Sequence, residues 1–375
     1  MRVVVAPDKF KGSLTAAEAA QAIAAGVRDA DPTADVSTLP VADGGEGTLE
    51  AALEAGYGRH DHEVTGPTGQ RVQAALALSR DGTTAVVELA AASGLMLLDS
   101  PAPLTAGTRG TGELVRYALD AGARTLVIAI GGSAGSDGGA GLLSALGARS
   151  FDADGREIGD GGAALRDITR LDLDGLDPRL PKARVLLACD VDNPLVGPRG
   201  SATVFGPQKG ATPDDVRLLD DALTRWADVV GRATGNDHRD TPGAGAAGGT
   251  GLAALAVLDA HVVPGVEVVL DLVDFDGALD GADLVVTGEG RFDAQSLGGK
   301  APVGVARRAM AAGVPVVVLA GSRERLDDDT LRRAGIVAVH DLSEIEPDPD
   351  RRMTDAAAAV RRLAAHAFTP PLPSR

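Results

Sequence analysis

Short apolar runs alternate along this chain with longer segments in which apolar residues recur every three or four positions. The first pattern indicates buried β-strands, and the second indicates helices that pack one face against a sheet. The runs predict strands at 2–6, 36–41, 72–78, 84–89, 125–130, 184–189, 283–286, 314–319 and 336–339. The helical spacing predicts helices over 15–30, near 49–53, over 107–121, up to 146 and over 212–230.

Local signals support three of these elements. Thr15 and Glu18 have the spacing of a capping box, in which two side chains satisfy backbone N–H groups at a helix start. Asp81-Gly82, between two apolar runs, is typical of the tight turn of a β-hairpin. Thr212, followed by proline and two acidic residues, is a strong helix start.

Strands that alternate with helices are typical of an α/β fold with a mostly parallel sheet. Glycine-rich and charged motifs stand just after the predicted strands. Open parallel sheets bind their ligands beyond the carboxyl ends of the strands, so we expect a ligand site at that edge. With 375 residues, the chain also has room for two domains.

Composition excludes several classes of protein. A formal net charge of −17 opposes binding to nucleic acid, and 2% aromatic residues leaves few side chains to stack on bases. The N-terminal segment MRVVVAPDKF lacks the apolar stretch of a signal peptide, and no apolar run reaches the roughly 20 residues of a membrane helix. A single cysteine, Cys189, fits a reducing cytoplasm, where we expect the protein.

The scarcity of lysine marks candidate functional positions. The chain has five lysines against 31 arginines, so arginine serves nearly everywhere that a surface cation is wanted. Four of the five lysines stand in glycine-, proline- or acid-rich segments: Lys9, Lys11, Lys209 and Lys300. Asparagine is as rare, and Asn193 stands in one of the polar loops. We interpret these rare residues as sites that need a compact ammonium group or an amide.

Five loops that follow predicted strands supply carboxylates, and four of them also contain glycine, which leaves backbone N–H groups unhindered. They are PDKFKGS (7–13), VADGGEGT (41–48), GGSAGSDGGAG (131–141), CDVDNPL (189–195) and TGEGRFDAQS (287–296). Such a set suits phosphoryl transfer, in which the protein positions the reactants, spreads negative charge and holds Mg²⁺. Because the chain as a whole is acidic, an anionic substrate must bind where the local charge is positive.

Two nucleotide-binding motifs are matched only in part. LVVTGEGRFDAQSLGGK (284–300) ends in Gly-Gly-Lys like a P-loop, but Ala294 replaces the first glycine and Ala301 replaces the serine or threonine that binds Mg²⁺. GAGAAG (243–248) has the glycine spacing of a dinucleotide-binding loop, but HRDTP precedes it where that fold needs a strand. We therefore expect any nucleotide to bind elsewhere in the chain.

Other reactive residues lack the partners that their chemistry requires. His60 and His62 have no third metal ligand near them in sequence. Cys189 has no nearby histidine, which favours a buried structural thiol over a nucleophile. The sequence HRD at 238–240 lacks the downstream asparagine of a protein-kinase catalytic loop.

Six motifs, in their order and spacing, resemble those of the bacterial type-1 glycerate kinase family. They are APDKFKGSLTA, PVADGGEGT, GGSAGSDGGAG, CDVDNPL, FGPQKGA and TGEGRFDAQSLGGK. The resemblance is specific and covers nearly the whole chain. It implies ATP- and Mg²⁺-dependent phosphorylation of D-glycerate, and the usual product in this family is 2-phosphoglycerate.

The resemblance also implies an α/β fold of two α/β domains. The first would be flavodoxin-like, with a parallel sheet, and discontinuous in sequence, comprising 1–66 and 282–375. The second would be an inserted mixed α/β domain, 67–281, with the active site in the cleft between the two. Expected partners are D-glycerate and ATP, with a homodimer as a further expectation, and neither nucleic acid nor membrane.

Chemistry then assigns a hypothetical role to each polar residue of the loops. Lys9, Lys11 and Lys300 would stabilise phosphate or the charge that develops during transfer. Asp190 would orient or deprotonate the substrate hydroxyl. The metal would be held by Asp192, Asp43 or Glu289.

Substrate and nucleotide contacts complete the hypothesis. Arg291 would take the substrate carboxylate, because a planar guanidinium donates to both of its oxygens. The other predicted substrate contacts are Asp293, Ser296 and Asn193. The predicted nucleotide contacts are Gly131, Gly132, Ser133, Ser136 and Asp137.

Two other classes of function remain open on the residues alone. A metal-dependent hydrolase or phosphatase of a small hydroxy acid would use the same carboxylates and glycine loops without a nucleotide. A non-enzymatic sensor of small acids would keep the site and show no turnover.

Overall fold

The computed structural model describes residues 1–294, 296–298 and 300–368. The chain folds into two compact units. The terminal unit contains Met1–Asp43, Glu50–Ala55 and the chain from Val266 onward. The inserted unit contains Gly44–Leu49 and Gly56–Gly265. Within the described residues, no helix combines the length and the apolar character needed to cross a membrane.

The β-strands of the described residues are β1 (Arg2–Val5), β2 (Asp35–Thr38), β3 (Gly58–Thr65), β4 (Arg71–Leu78), β5 (Thr84–Glu88), β6 (Thr125–Ala129), β7 (Arg149–Phe151), β8 (Arg170–Asp172), β9 (Arg184–Ala188), β10 (His261–Val263), β11 (Leu284–Phe292), β12 (Val316–Arg323) and β13 (Ile336–Asp341).

The α-helices of the same residues are α1 (Ala16–Ala30), α2 (Thr48–Glu54), α3 (Leu89–Ser93), α4 (Arg109–Asp120), α5 (Ala140–Ala145), α6 (Ser201–Phe205), α7 (Pro213–Thr234), α8 (Ala246–Val257), α9 (Gly265–Leu272), α10 (Phe275–Leu279), α11 (Ala301–Ala311), α12 (Asp328–Arg333), α13 (Pro349–Thr354) and α14 (Ala356–Ala367).

The terminal unit contains a five-stranded parallel sheet in the order β2-β1-β11-β12-β13. In chain order this is the 2-1-3-4-5 arrangement of flavodoxin-like folds. The order reverses between β1 and β11, which makes the space beyond their carboxyl ends the switch point where such sheets bind ligands. The predicted fold class is confirmed, and the sheet indicates where to look for a site.

Helices cover both faces of this sheet. On one face, α1 packs against α14, and Ile23, Val27 and Leu363 belong to the same buried cluster as the β1 side chains. On the other face, the helices α9 and α11 contribute a second cluster, which includes Val269 and Val305. The predicted capping box is present at the start of α1, because Thr15 and Glu18 accept each other's backbone N–H groups.

The inserted unit is built on a mixed six-stranded sheet in the order β3-β4-β5-β6-β9-β10. The first three strands are antiparallel, and β5, β6, β9 and β10 are parallel. The predicted hairpin joins β4 to β5, with Gly82 in the left-handed region at its turn. Trp226 of α7 lies at the centre of the buried cluster and donates a hydrogen bond to the Gly138 carbonyl (2.9 Å).

The units divide the chain at positions other than the predicted 66/67 and 281/282 boundaries. Strand β3 pairs along its whole length with β4 and therefore belongs to the inserted unit. Helices α9 and α10 belong to the terminal unit, where Val266, Val269 and Phe275 join its hydrophobic cluster. Pairing partners and packing faces decide such boundaries, and neither can be read from one segment alone.

The predicted loop 287–296 is in large part a strand. β11 does not end at Val286 but continues to Phe292, paired with β12 as far as Arg323. Two glycines in this stretch interrupt the apolar run by which a strand is predicted, because glycine is normally disfavoured within strands.

The contact between α1 and α14 generates a prediction about glycine. A Cβ at Gly26 of α1 would lie 2.2 Å from the Arg361 carbonyl oxygen, so Gly26→Ala forces the two helices apart. We expect the substitution to lower the free energy of unfolding by about 1–3 kcal/mol. Gly231→Ala in α7 is the matched control, because its Cβ would meet nothing closer than 3.5 Å.

The control substitution is expected to stabilise the protein by about 0.5–1 kcal/mol, since alanine is the better helix former. Urea denaturation followed by circular dichroism measures both variants. Equal effects of the two substitutions would contradict the close packing of α1 on α14.

Candidate active site

Asp8 is a buried carboxylate at the switch point of the terminal unit. It follows β1, and its backbone N–H donates to the Gly288 carbonyl of β11 (2.8 Å). Its side chain is 7% exposed, and Oδ1 accepts the backbone N–H of Lys9 (2.6 Å). Burial raises the pKa of Asp8 to about 7; the carboxylates of Asp43 and Glu289 add to the rise, and the Lys9 ammonium opposes it.

One glycine of β11, Gly290, allows the loop after β1 to lie against that strand. A Cβ at Gly290 would lie 3.0 Å from the Lys11 backbone nitrogen. Glycine therefore permits the close approach of PDKFKGS to β11. This approach places Lys9, half-buried, beside the carboxylates, while Lys11 is exposed.

Glu289 faces the same region from β11. The residue is only 6% exposed, and its Oε1 atom has no hydrogen-bond partner among the described residues. The other oxygen, Oε2, lies 3.6 Å from Lys300 Nζ, at the start of α11. Burial raises the pKa of Glu289, and hydrogen bonding from Ser296 and the Lys300 charge oppose this rise. A buried carboxylate oxygen without a donor is costly, which indicates a ligand or cation there.

Asp293 and Ser296 stabilise the turn after β11. The backbone N–H of Asp293 donates to Ser296 Oγ (3.1 Å), and that of Ser296 donates to Asp293 Oδ1 (3.3 Å). Arg291 is already paired, with Asp293 Oδ2 at 3.0 Å and Glu324 Oε1 at 2.8 Å. Its side chain is 63% exposed, so a substrate carboxylate would have to compete with Glu324 for the guanidinium.

The terminal unit thus brings together four of the predicted site residues, Lys9, Asp43, Glu289 and Lys300, and adds Asp8. Asp8 stood in a motif that the sequence singled out, but sequence gave no measure of its burial. The grouping combines three carboxylates with two ammonium groups at the end of β1 and β11.

In the inserted unit, the loop after β6 passes closely over a neighbouring loop. A Cβ at Gly131 would lie 2.6 Å from the Gly45 Cα, and Gly132 has a positive φ of 74°. Ser133 is 9% exposed, whereas Ser136 is fully buried. Gly131, Gly132 and Ser133 therefore remain the accessible residues of the predicted phosphate cradle.

Asp137 has a structural role inside this loop. It is completely buried, and its oxygens accept from Thr108 N, Thr108 Oγ1, Gly139 N and Gly141 N at 2.9–3.1 Å. Burial raises its pKa, and these four hydrogen bonds oppose the rise. Because both oxygens are occupied and enclosed, we do not retain Asp137 or the buried Ser136 as nucleotide contacts.

Lys209 is a buried cation that the sequence marked only by its rarity. It follows α6 and is 2% exposed. Its Nζ donates to Ser133 Oγ (2.8 Å) and to the Gly135 carbonyl (2.5 Å). Burial lowers the pKa of Lys209 to about 8, and the Asp137 carboxylate opposes this shift.

Glu88 holds a second loop in place, and no sequence signal pointed to it. It ends β5, is buried, and its Oε2 accepts the backbone N–H groups of Gly47 and Leu49, both at 3.1 Å. The carboxylate thus binds the start of α2 to the sheet edge of the inserted unit. This arrangement places the DGGEGT motif beside the carboxyl ends of β5 and β6.

The loop after β9 uses most of its polar side chains locally. Asp190 is exposed, and its Oδ1 accepts the Gly265 backbone N–H (2.7 Å). Asp192 is exposed and pairs with Arg199 (3.1 Å), and Asn193 Nδ2 donates to the Arg199 carbonyl (2.8 Å). Cys189 is partly buried, and burial raises the pKa of its thiol, as expected of a structural cysteine.

The predicted metal ligands do not form a preassembled metal centre. Among the described residues, no group of three or more His, Cys, Asp or Glu side chains is arranged to hold an ion. Asp43 and Glu289 belong to the terminal unit, and Asp192 belongs to the inserted unit. A Mg²⁺ site would therefore need oxygens from a substrate and water, as Mg²⁺ in phosphoryl-transfer enzymes normally has.

Comparisons with known proteins place this geometry in context. The model described as the glycerate kinase family matches residues 3–369. The chain is 50% identical over 345 residues to the glycerate kinase of Bacillus subtilis strain 168, which covers 91% of this chain and 90% of that protein. It is 47% identical over 348 residues to the glycerate 2-kinase of Escherichia coli strain K12, covering 92% and 90%.

A solved structure shows the same fold. The crystal structure described as "putative glycerate kinase 2" from Salmonella typhimurium LT2 superposes with a TM-score of 0.86 at 45% sequence identity. The match covers 98% of this chain and 97% of that one. The likeness therefore extends over both units.

The burial of Asp8 generates a prediction about stability and pH. The folded pKa lies above the unfolded value of 3.8, so ionisation opposes folding, and stability is lost as the pH rises through about 7. Asp8→Asn keeps the acceptor for the Lys9 N–H but cannot ionise. At about pH 8 we expect it to raise the free energy of unfolding, with an upper bound of about 4 kcal/mol.

Urea denaturation in the presence of a chelator tests this expectation. The gain should be smaller at about pH 5, because the stability cost of ionisation accumulates from the unfolded pKa of 3.8 up to the folded pKa of about 7. Asp99→Asn, at an exposed carboxylate, is the control and should change stability little at either pH. A stabilisation by Asp8→Asn that is the same at both pH values would show that ionisation of Asp8 is not its cause.

Proposed function

The chain belongs to the glycerate kinase family, and from this premise we propose that it transfers the terminal phosphoryl group of ATP to a hydroxyl of D-glycerate. The observation that carries the proposal is the grouping at the switch point of the terminal unit. Three carboxylates and two lysines, Asp8, Asp43, Glu289, Lys9 and Lys300, lie where a sheet of this order binds its ligand.

Lysines of the terminal unit would stabilise the phosphoryl group during transfer. Lys9 is half-buried among carboxylates, and Lys300 lies within 3.6 Å of Glu289. An ammonium group near the transferred oxygens stabilises charge most strongly where burial limits screening by water. Lys11 is exposed, and we propose for it the weaker role of attracting the anionic substrates.

Mg²⁺ is the cation that this carboxylate set would accept. Glu289 Oε1 is buried without a partner among the described residues, and Asp43 stands near Asp8 on the adjoining loop. One or two carboxylates are the protein ligands that Mg²⁺ normally takes at such sites. When bound, the ion would neutralise charge on the nucleotide phosphates. Asp192, paired with Arg199 on the surface, fits this role less well.

The inserted unit would bind the phosphates of ATP through the loop after β6. Gly131, Gly132 and Ser133 offer backbone N–H groups and a hydroxyl, and glycine lets a phosphate approach the chain closely. Helix α5 has only six residues, so its dipole contributes little, and the proposal rests on the loop.

Assignments for the glycerate moiety are part of the same proposal. Asp190, exposed and held by Gly265, would orient the attacking hydroxyl, and Asp8 is a second candidate because it lies at the switch point. Arg291 would bind the substrate carboxylate in exchange for Glu324. Asp293, Ser296 and Asn193 mainly hold their own loops, which makes their contribution to binding indirect.

For the product we propose 2-phosphoglycerate. Support comes from the name of the Escherichia coli relative, which is called a glycerate 2-kinase. The predicted homodimer stays a prediction.

A direct assay tests the reaction. Purified protein with D-glycerate, ATP and Mg²⁺ is expected to form ADP in proportion to time and enzyme. Enolase added without phosphoglycerate mutase should then yield phosphoenolpyruvate, since enolase acts on the 2-phosphate and not on the 3-phosphate. A product that requires the mutase would contradict the 2-phosphate assignment.

The same assay separates the other classes of function. Phosphate release from a phosphorylated hydroxy acid without nucleotide would indicate a hydrolase. Binding of D-glycerate with no ADP formation at any pH would indicate a sensor. Either result would exclude the kinase proposal.

Replacement of Lys9 tests the phosphate-stabilising role. Lys9→Met is expected to lower kcat by about 10²–10³, the usual loss when one preorganised donor is removed. Lys182→Met is the matched control, because Lys182 is exposed and outside the glycine-rich loops, and it should keep full activity. Lys9→Arg with unchanged kcat would show that the position needs a cation but not a compact ammonium.

A further inference from the structure

The loop after β6 is held from behind by a lysine far away in sequence. Lys209 lies in the turn Pro207–Lys209, where its backbone N–H donates to the Gly206 carbonyl (3.0 Å). The following residue, Gly210, has a positive φ of 87°, and a Cβ there would lie 2.4 Å from Pro101. The turn therefore tolerates only glycine after Lys209, and it directs the lysine side chain into the unit.

The direction of the hydrogen bond between Lys209 and Ser133 determines what Ser133 can do. An ammonium group has three donors and no acceptor, so Nζ donates and Ser133 Oγ accepts at 2.8 Å. The hydroxyl hydrogen of Ser133 is then directed away from Lys209. This leaves the hydroxyl hydrogen for another acceptor, and Ser133 as a residue is 9% exposed.

The backbone around Ser133 is held on both sides. Gly94 forms a bridge with Ser133, and the backbone N–H of Ala134 donates to the Ser93 carbonyl (2.9 Å). Lys209 also donates to the Gly135 carbonyl (2.5 Å). Side chain and backbone together leave Ser133 little freedom, so the orientation of its hydroxyl is preorganised.

The burial of Lys209 is not explained by packing alone. A buried cation loses its hydration, and an apolar side chain of similar size is often as stabilising or more so. The charged group that faces it is the Asp137 carboxylate, which is bound to four donors of its own loop. The ammonium therefore has a polarising effect on Ser133 and Gly135 that an apolar residue could not supply.

We propose that Lys209 is a positioning residue for the phosphates of the nucleotide. It orients the Ser133 hydroxyl as a donor to a phosphate oxygen without touching the ligand. The inference rests on the proposed function, since it assigns the loop's ligand as ATP or ADP.

A double-mutant cycle tests the proposal. The dissociation constant of ADP is measured by titration calorimetry for the wild type, Ser133→Ala, Lys209→Met and the double variant. We expect each single substitution to weaken ADP binding about tenfold, the effect of one lost hydrogen bond to a charged group. The double variant should bind ADP as weakly as either single variant, because Lys209 acts through Ser133.

Steady-state kinetics supply a readout that a purely structural role would not move. We expect KM for ATP to rise in both single variants, while KM for D-glycerate stays unchanged. Lys182→Met, at an exposed lysine, is the matched control and should leave both values at the wild-type level. Additive losses in the cycle, or an equal rise of both KM values, would overturn the positioning role.

If Lys209→Met fails to fold, ADP binding to Ser133→Ala still tests the proposal. This variant retains the Lys209–Gly135 hydrogen bond and removes one hydroxyl. Wild-type affinity for ADP in folded Ser133→Ala would refute the proposal, and a selective loss for ADP would support it.

Failure of this proposal can be told from failure of the proposed function, because ADP binding needs no turnover. A wild type that binds ADP through Ser133 but does not phosphorylate D-glycerate would contradict the proposed reaction and support the role of Lys209. Turnover with unchanged ADP affinity in Ser133→Ala would overturn only the role of Lys209.

Discussion

Two opposite charges, one buried within a glycine-rich loop and the other buried against it, determine the structure around the candidate nucleotide site. Asp137 accepts four hydrogen bonds that tie the loop to the starts of α4 and α5, and Lys209 donates two from the other side. Buried charges are tolerated only when their hydrogen-bonding capacity is met, so each enforces the backbone geometry around it. The loop is consequently rigid before any ligand arrives, which suits a site that must select phosphate geometry.

Parallel strands impose the second constraint, because they bring loops from distant parts of the chain to one edge of a sheet. In the terminal unit, β1 and β11 are neighbours in the sheet, and Gly290 allows the loop after β1 to lie against β11. In the inserted unit, Glu88 and Gly131 hold the loop 44–49 against the ends of β5 and β6. Each unit thereby concentrates polar groups from several motifs.

Some residues that the sequence marked as functional also have local partners within the fold. Asp137 and Asn193 are used in local hydrogen bonds, Asp192 pairs with Arg199, and Arg291 is neutralised by two carboxylates. Aspartate, asparagine and glycine are the residues that loops need for their own turns, so motif membership does not separate catalytic from structural roles. Burial and partner geometry add what motif membership lacks: burial raises the pKa of Asp8 to about 7.

The sequence by itself determined the α/β class, most strands and helices, the cap at Thr15, the hairpin at Asp81-Gly82 and the family, because each depends on periodicity or on a few adjacent residues. The tertiary structure alone decided the partner of β3, the length of β11 and the roles of Glu88 and Lys209. Lys209 and Ser133 are 76 positions apart, and their hydrogen bond exists only after both elements have packed. Local patterns carry no information about such pairs, since desolvation and long-range contact arise from the folded chain as a whole.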